Sequence, residues 1–173
     1  PFFKYLFNNQ NIMPKYKPFI INEWSRFIKK IRLDKNHYII EAEYIMGAVF
    51  PMYWFCIGDN EMNDIYEEIA EIITKVDTKL IYLDYESVDE LLKQNILLRG
   101  ADCVDSDMLH YVNLPICKKN NYIGKEGWLS FWNNWFIKAK KIINDSKNDK
   151  IVITSNYKDY ENNFNKIVSF LNY

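Results

Sequence analysis

Two acids and a scatter of cations are the residues of this sequence best suited to chemistry. In HYIIEAEYIMG, residues 37 to 47, Glu41 and Glu43 follow directly on the apolar run Tyr38, Ile39 and Ile40, with Ala42 between them. Acids that close a buried strand would stand at the edge of a sheet from which chemistry is normally done. On position alone, one acid can equally face solvent while the other caps the next helix. Further along, LLRGADCVDSDMLHYVNLPICKKNNYIGKEG, residues 97 to 127, carries Arg99 at its start, Lys118, Lys119 and Lys125 near its end, and Gly100, Gly124 and Gly127 as pivots. The stretch reads as too polar and irregular for core and too long for an ordinary connection. It is expected to form a lid-like loop over residues 99–127, whose four cations close over a polyphosphate. A solvated surface loop with idle lysines is the plainer alternative.

The remaining reactive residues offer less. His37 and His110 have no evident partners and read as surface or turn residues. Cys56, Cys103 and Cys117 are odd in number and lack C-x-x-C spacing, which argues against a disulfide framework or a zinc site and for free thiols. Cys103 and Cys117 flank the basic stretch without the nearby histidine that activates a thiolate. Trp128, Trp132 and Trp135 could stack a base, but their helical spacing favours core packing.

The elements that must position these residues follow from apolar spacing. Phe19, Ile20, Trp24, Phe27, Ile28 and Ile31 predict an amphipathic helix over residues 18 to 33, with Pro18 in its first turn. Met62, Ile65, Ile69, Ile72, Ile73 and Val76 predict another over 60 to 76. The run LIYL (80 to 83) has strand length, and Ser87 with Glu90 forms a capping box that opens a helix. Trp128 to Ile142 forms a wide aromatic helix face, IVIT (151 to 154) a further strand, and Tyr160 to Leu171 a final helix. Short, uninterrupted apolar strands at about 38–42, 80–84 and 150–154, separated by helices, favour a parallel sheet covered on both faces. Ligands meet such sheets at the carboxyl ends of the strands, which is where Glu41 and Glu43 would stand.

Composition sets the outer limits. The chain has 173 residues, 49% of them hydrophobic and 17% aromatic, enough for the core of one domain spanning residues 1–173. Net charge is -1, so no global field attracts nucleic acid or an anionic membrane. No apolar run reaches membrane-spanning length and the opening PFFKYLFNNQ is too short and polar for a signal peptide, so a cytoplasmic protein is expected.

Taken in order, HYIIEAE, then TKLIYLDYESVDELLKQNILLRGAD, a basic stretch, an aromatic helix, a strand and a terminal helix resemble the later two thirds of a P-loop kinase of the thymidylate-kinase or deoxynucleoside-kinase type. The resemblance implies an α/β fold, a three-layer sandwich with a mostly parallel sheet flanked by helices. It also implies ATP and Mg2+ as cofactors. Glu41 would organise the magnesium ion, and Arg99 with Lys118, Lys119 and Lys125 would neutralise the transferred phosphoryl group. Asn156 and Tyr157 would hold the adenine ring, and Trp24, Glu43, Tyr44 and Tyr53 would line the pocket of a small acceptor such as a nucleoside or nucleotide. A homodimer stays open.

One departure divides the reading in two. No G-x-x-x-x-G-K-[ST] occurs and only five glycines are present. A kinase therefore requires a P-loop segment of several dozen residues upstream of Pro1, which is expected. The alternative is a non-catalytic domain of the same fold that binds a phosphorylated ligand or a protein partner.

Overall fold

Helical periodicity dictates most of what forms. A computed structural model describes residues 13–34, 36–100, 102–154 and 159–171. In chain order it contains α1 (Met13–Ile31), a π-helical turn (Glu43–Gly47), α2 (Phe50–Trp54), α3 (Asp59–Ile73), β1 (Lys79–Asp84), α4 (Val88–Arg99), α5 (Asp102–Tyr111), α6 (Pro115–Lys119), α7 (Gly124–Asp145), β2 (Asp149–Thr154) and α8 (Tyr160–Leu171). These residues fall into two compact units. One runs up to Asp77 and takes in Leu114–Asn120; the other holds Thr78–Asn113 and the residues from Asn121 onward.

Among the described residues of the first unit, every regular element is a helix. α1 buries Tyr16, Trp24 and Ile28, spaced so that they share one face, and packs against α3. On α3 the buried residues are Met62, Ile65, Tyr66, Ile69, Ile72 and Ile73, while acids such as Glu61, Glu67 and Glu71 face outward. Lys17 on α1 pairs with Glu68 on α3 at 2.9 Å. The Tyr16 hydroxyl lies 2.8 Å from both the Gly47 and Ala48 carbonyl oxygens, tying α1 to the π-helical turn. All five residues of α2 are buried, and α2 packs on α6, the short helix that the chain delivers from much later in the sequence.

The second unit is built around two strands. β1 and β2 pair in parallel with Lys79 opposite Asp149 and Asp84 opposite Thr154. The crossover between them contains α4, α5 and α7, which pack on one another around Leu92, Val104 and Trp128. Ser87 caps α4, its hydroxyl accepting the Glu90 backbone N–H at 3.1 Å. Lys150 closes the other end of the crossover by donating to the carbonyls of Ile143 and Asn144 in the last turn of α7 and of Ser146 just past it. Gly127 sits where the chain doubles back: a Cβ there would stand 2.3 Å from the Tyr122 carbonyl carbon.

This architecture overturns the three-layer α/β sandwich. The described residues are mostly helical with two short strands, and the sheet that was to lie between two helical layers reduces to one parallel pair. The expected strand at 38–42 does not form. Asp34 accepts hydrogen bonds from the Asn36 backbone N–H and from the Tyr38 hydroxyl, which turns the chain locally, and Ile39 is 99% exposed. Ala42 then adopts a left-handed φ of 61° and starts the π-helical turn. The expected irregular stretch at 99–127 is also largely helical, because Val104, Met108 and Tyr111 recur at helical spacing and pack into the α4–α7 cluster.

Candidate functional site

The residues expected to carry chemistry are placed as follows. Glu41 is exposed in the extended link before the π-helical turn, not at the end of a strand. The side chain of Glu43, like Asn156 and Tyr157, lies outside the described part of the structure. Arg99 is the exposed last residue of α4, and Lys125 lies exposed in the first turn of α7, both in the second unit. Lys118 and Lys119 end α6 in the first unit. The four cations therefore stand on three separate helices and not on one loop. His37 and His110 are both exposed, with His110 edge-on to Tyr111 at 5.0 Å.

The expected acceptor pocket is partly a packed aromatic column. Trp24 meets Phe27 and Tyr44 edge to face, with ring centroids 6.1 and 6.0 Å apart, and Tyr44 stacks on Tyr66 at 4.7 Å. Tyr53 lies in α2 and stacks on Phe50 at 6.3 Å. The sequence thus brings Trp24 and Tyr44 together, in contacts of the kind that stabilise a core. The tryptophan stripe of α7 is also core: Trp135 and Phe131 are fully buried, and Trp132 stacks on Phe136 at 5.7 Å.

Sequence reasoning missed the polar cluster at the carboxyl end of the parallel pair. Asp84 closes β1 and its carboxylate pairs with Lys140 of α7. Opposite it in register is Thr154, whose carbonyl accepts a hydrogen bond from Asn163 of α8 at 3.1 Å. Tyr85, one residue on, faces Phe136. The acid ending LIYLD was the visible signal; its lysine partner, far along the chain, was not. Because Asp84 is neutralised by an ammonium group, the cluster fastens α7 to β1. Among the described residues no group of three or more His, Cys, Asp or Glu side chains is placed to hold a metal ion.

A different feature of the second unit stands out. α8 carries Tyr160, Phe164, Ile167, Val168 and Leu171 on one apolar stripe, yet none of its described residues is buried; Tyr160 is 72% and Phe164 52% exposed. On the α4–α5 hairpin, Leu97 and Leu109 are 84% and 76% exposed, with Leu98 and Val112 also in solvent. Single exposed leucines are ordinary; on α8, Ile167, Val168 and Leu171 are half-buried and the helix packs on β2, while Tyr160 and Phe164 at its start stand largely in solvent. No helix among the described residues is long and apolar enough to cross a membrane, so these residues do not form a helical span. No family model, curated protein or solved structure matches the chain.

Proposed function

We propose that the chain is a non-catalytic binding domain that engages a protein partner through the apolar stripe of α8. The observation that supports this most is the mismatch between pattern and burial on that helix: its apolar residues are spaced for packing, and Phe164 and Tyr160 stand in solvent. Burying them against a partner would remove two aromatic side chains from water, the kind of group that dominates interface energetics. The exposed leucines of the α4–α5 hairpin belong to the same unit and extend its apolar surface. The phosphotransferase expectation draws instead on Glu41 and Arg99, which are exposed side chains of different units.

Photo-cross-linking tests the reading. A benzophenone side chain at position 164 is expected to give a discrete protein adduct in the source cell. The same group at Lys166, exposed on another side of α8, is expected to give none. Equal adduct formation at the two positions, or none at 164, would remove the support. In the same preparation ATP with magnesium should show no turnover beyond buffer; turnover that disappears in Glu41→Gln and in Arg99→Ala would restore the kinase reading.

A further inference from the structure

We propose that the carboxyl end of α1 and the link that follows it dock on an anionic lipid surface, Lys29, Lys30 and Arg32 meeting the headgroup charges while Leu33 and Ile39 enter the apolar boundary. Charge is concentrated here: residues 26 to 37 hold five cations and a single acid, in a chain whose net charge is -1. Trp24 and Ile28 of α1 face the core, while Arg26, Lys29 and Lys30, three and four residues apart, share the exposed side of the helix. Arg26 is held by Glu23 at 2.8 Å. Among the described residues Lys29, Lys30 and Arg32 have no ion-pair partner. The single acid, Asp34, is engaged locally: its carboxylate accepts from the Asn36 backbone and side-chain N–H groups and from the Tyr38 hydroxyl.

The link keeps its apolar residues beside these cations. The N–H groups of Arg32, Leu33 and Asp34 donate to the carbonyls of Ile28, Lys30 and Ile31, which tightens the end of α1 into a turn. The Tyr38 ring then meets Phe27 edge to face with centroids 6.0 Å apart, so the link returns alongside the last turns of the helix. Lys30, three residues after Phe27, lies on that same side. Leu33 is 91% exposed, Ile39 is wholly in water, and Tyr38 and Ile40 are exposed as well. A nucleic acid or a small anion would engage the cations and leave Ile39 hydrated. A bilayer surface accommodates both, because its anionic headgroups attract lysine and arginine while the layer beneath takes up aliphatic side chains. A tyrosine, apolar in the ring and polar at its tip, suits the boundary between them. Glu41, exposed just beyond Ile40, opposes the attraction. Attachment is therefore superficial, weak and reversible, in keeping with the lack of a membrane-crossing helix among the described residues.

The test is flotation of the full chain with vesicles of equal parts phosphatidylserine and phosphatidylcholine, against vesicles of phosphatidylcholine alone. The chain is expected to float with the mixed vesicles only, and to be released in about 1 M salt, where charges are screened beyond about 3 Å. Lys30→Ala should lower the partition coefficient about fivefold, the effect of one cation near an anionic surface. Ile39→Ser should lower it about tenfold or more, the effect of withdrawing one aliphatic side chain from an apolar layer. Glu41→Gln should raise it. Lys141→Ala, which removes an exposed cation of α7, should leave it unchanged. All four side chains are exposed, so circular dichroism should match the parent in every variant. Equal flotation on the two kinds of vesicle, no flotation on either, or flotation that survives both Lys30→Ala and Ile39→Ser would each overturn the proposal. So would binding of poly-glutamate that is indifferent to Ile39→Ser and stronger than binding to the mixed vesicles, which would assign the cations to an acidic protein.

Discussion

The two units spend their apolar residues differently. In the first, α2 is buried over its whole length and α3 buries a continuous face, while its exposed apolar residues, Phe19 apart, lie in the link after α1, at Leu33 and Ile39 among others. In the second, α7 anchors a real core through Phe131, Trp135 and Ile143, yet α8 keeps its aromatic stripe in water and α4 ends in exposed leucines. Both contain amphipathic helices of comparable pattern. What separates them is how much of each apolar face the unit covers: β2 half-buries the later part of the α8 stripe and leaves Tyr160 and Phe164 largely in water. That difference is what the proposed docking of α8 on a protein partner draws on.

The comparison breaks most easily at the core of the first unit. Ile69 is fully buried, so Ile69→Ala should lower stability by about 2–5 kcal/mol, read as a shift of the urea midpoint. A loss below about 1 kcal/mol would mean that α3 is not packed as described.

A smaller effect probes the crossover of the second unit. Burial lifts the Asp107 carboxyl above its ordinary range, with His110 and Arg99 pulling it back down. A carboxyl raised in the folded state holds its proton more tightly there than in the unfolded chain. Its contribution to stability is therefore fully present below the ordinary carboxylate range and fades as pH rises through the raised value. Asp107→Asn keeps the side chain neutral throughout. Its urea midpoint should exceed that of the parent near neutral pH and approach it in acid. A constant gap across pH would remove Asp107 as the cause.

The smallest effect is the sharpest discriminator. Phe164→Ser should change the stability of the isolated chain by no more than about 0.5 kcal/mol, because half of the side chain is already in water. A loss comparable to that of Ile69→Ala would show that α8 is a core element, and the contrast between the units would collapse.

How much of this was legible before the structure depended on the length of each pattern. α3, α7 and α8 announce themselves because each repeats its apolar spacing over several turns, and LIYL, IVIT and the Ser87 cap sit within a residue or two of their expected places. HYIIE failed because three adjacent apolar residues look alike in a buried strand and in an exposed link. What decided it was side-chain chemistry next door, the hydrogen bonds that Asn36 and Tyr38 make to Asp34. Residues 99–127 failed for another reason. The apolar positions of α5 are few and set among acids, so polarity outweighed periodicity in the reading. The Asp84–Lys140 pair joins residues whose proximity only the packing of α7 on the end of β1 creates.

The excursion of Leu114–Asn120 also sets the timetable of synthesis. When a ribosome has released the chain as far as Asp77, the helical unit begun by α1 still lacks Leu114, Ile116 and Cys117, all of which it buries. It can close only after β1, α4 and α5 have been made, so the chain of the second unit is already half built before the first unit is complete. A gene fragment stopped at Asp77 would encode a body with a cavity where that late helix belongs.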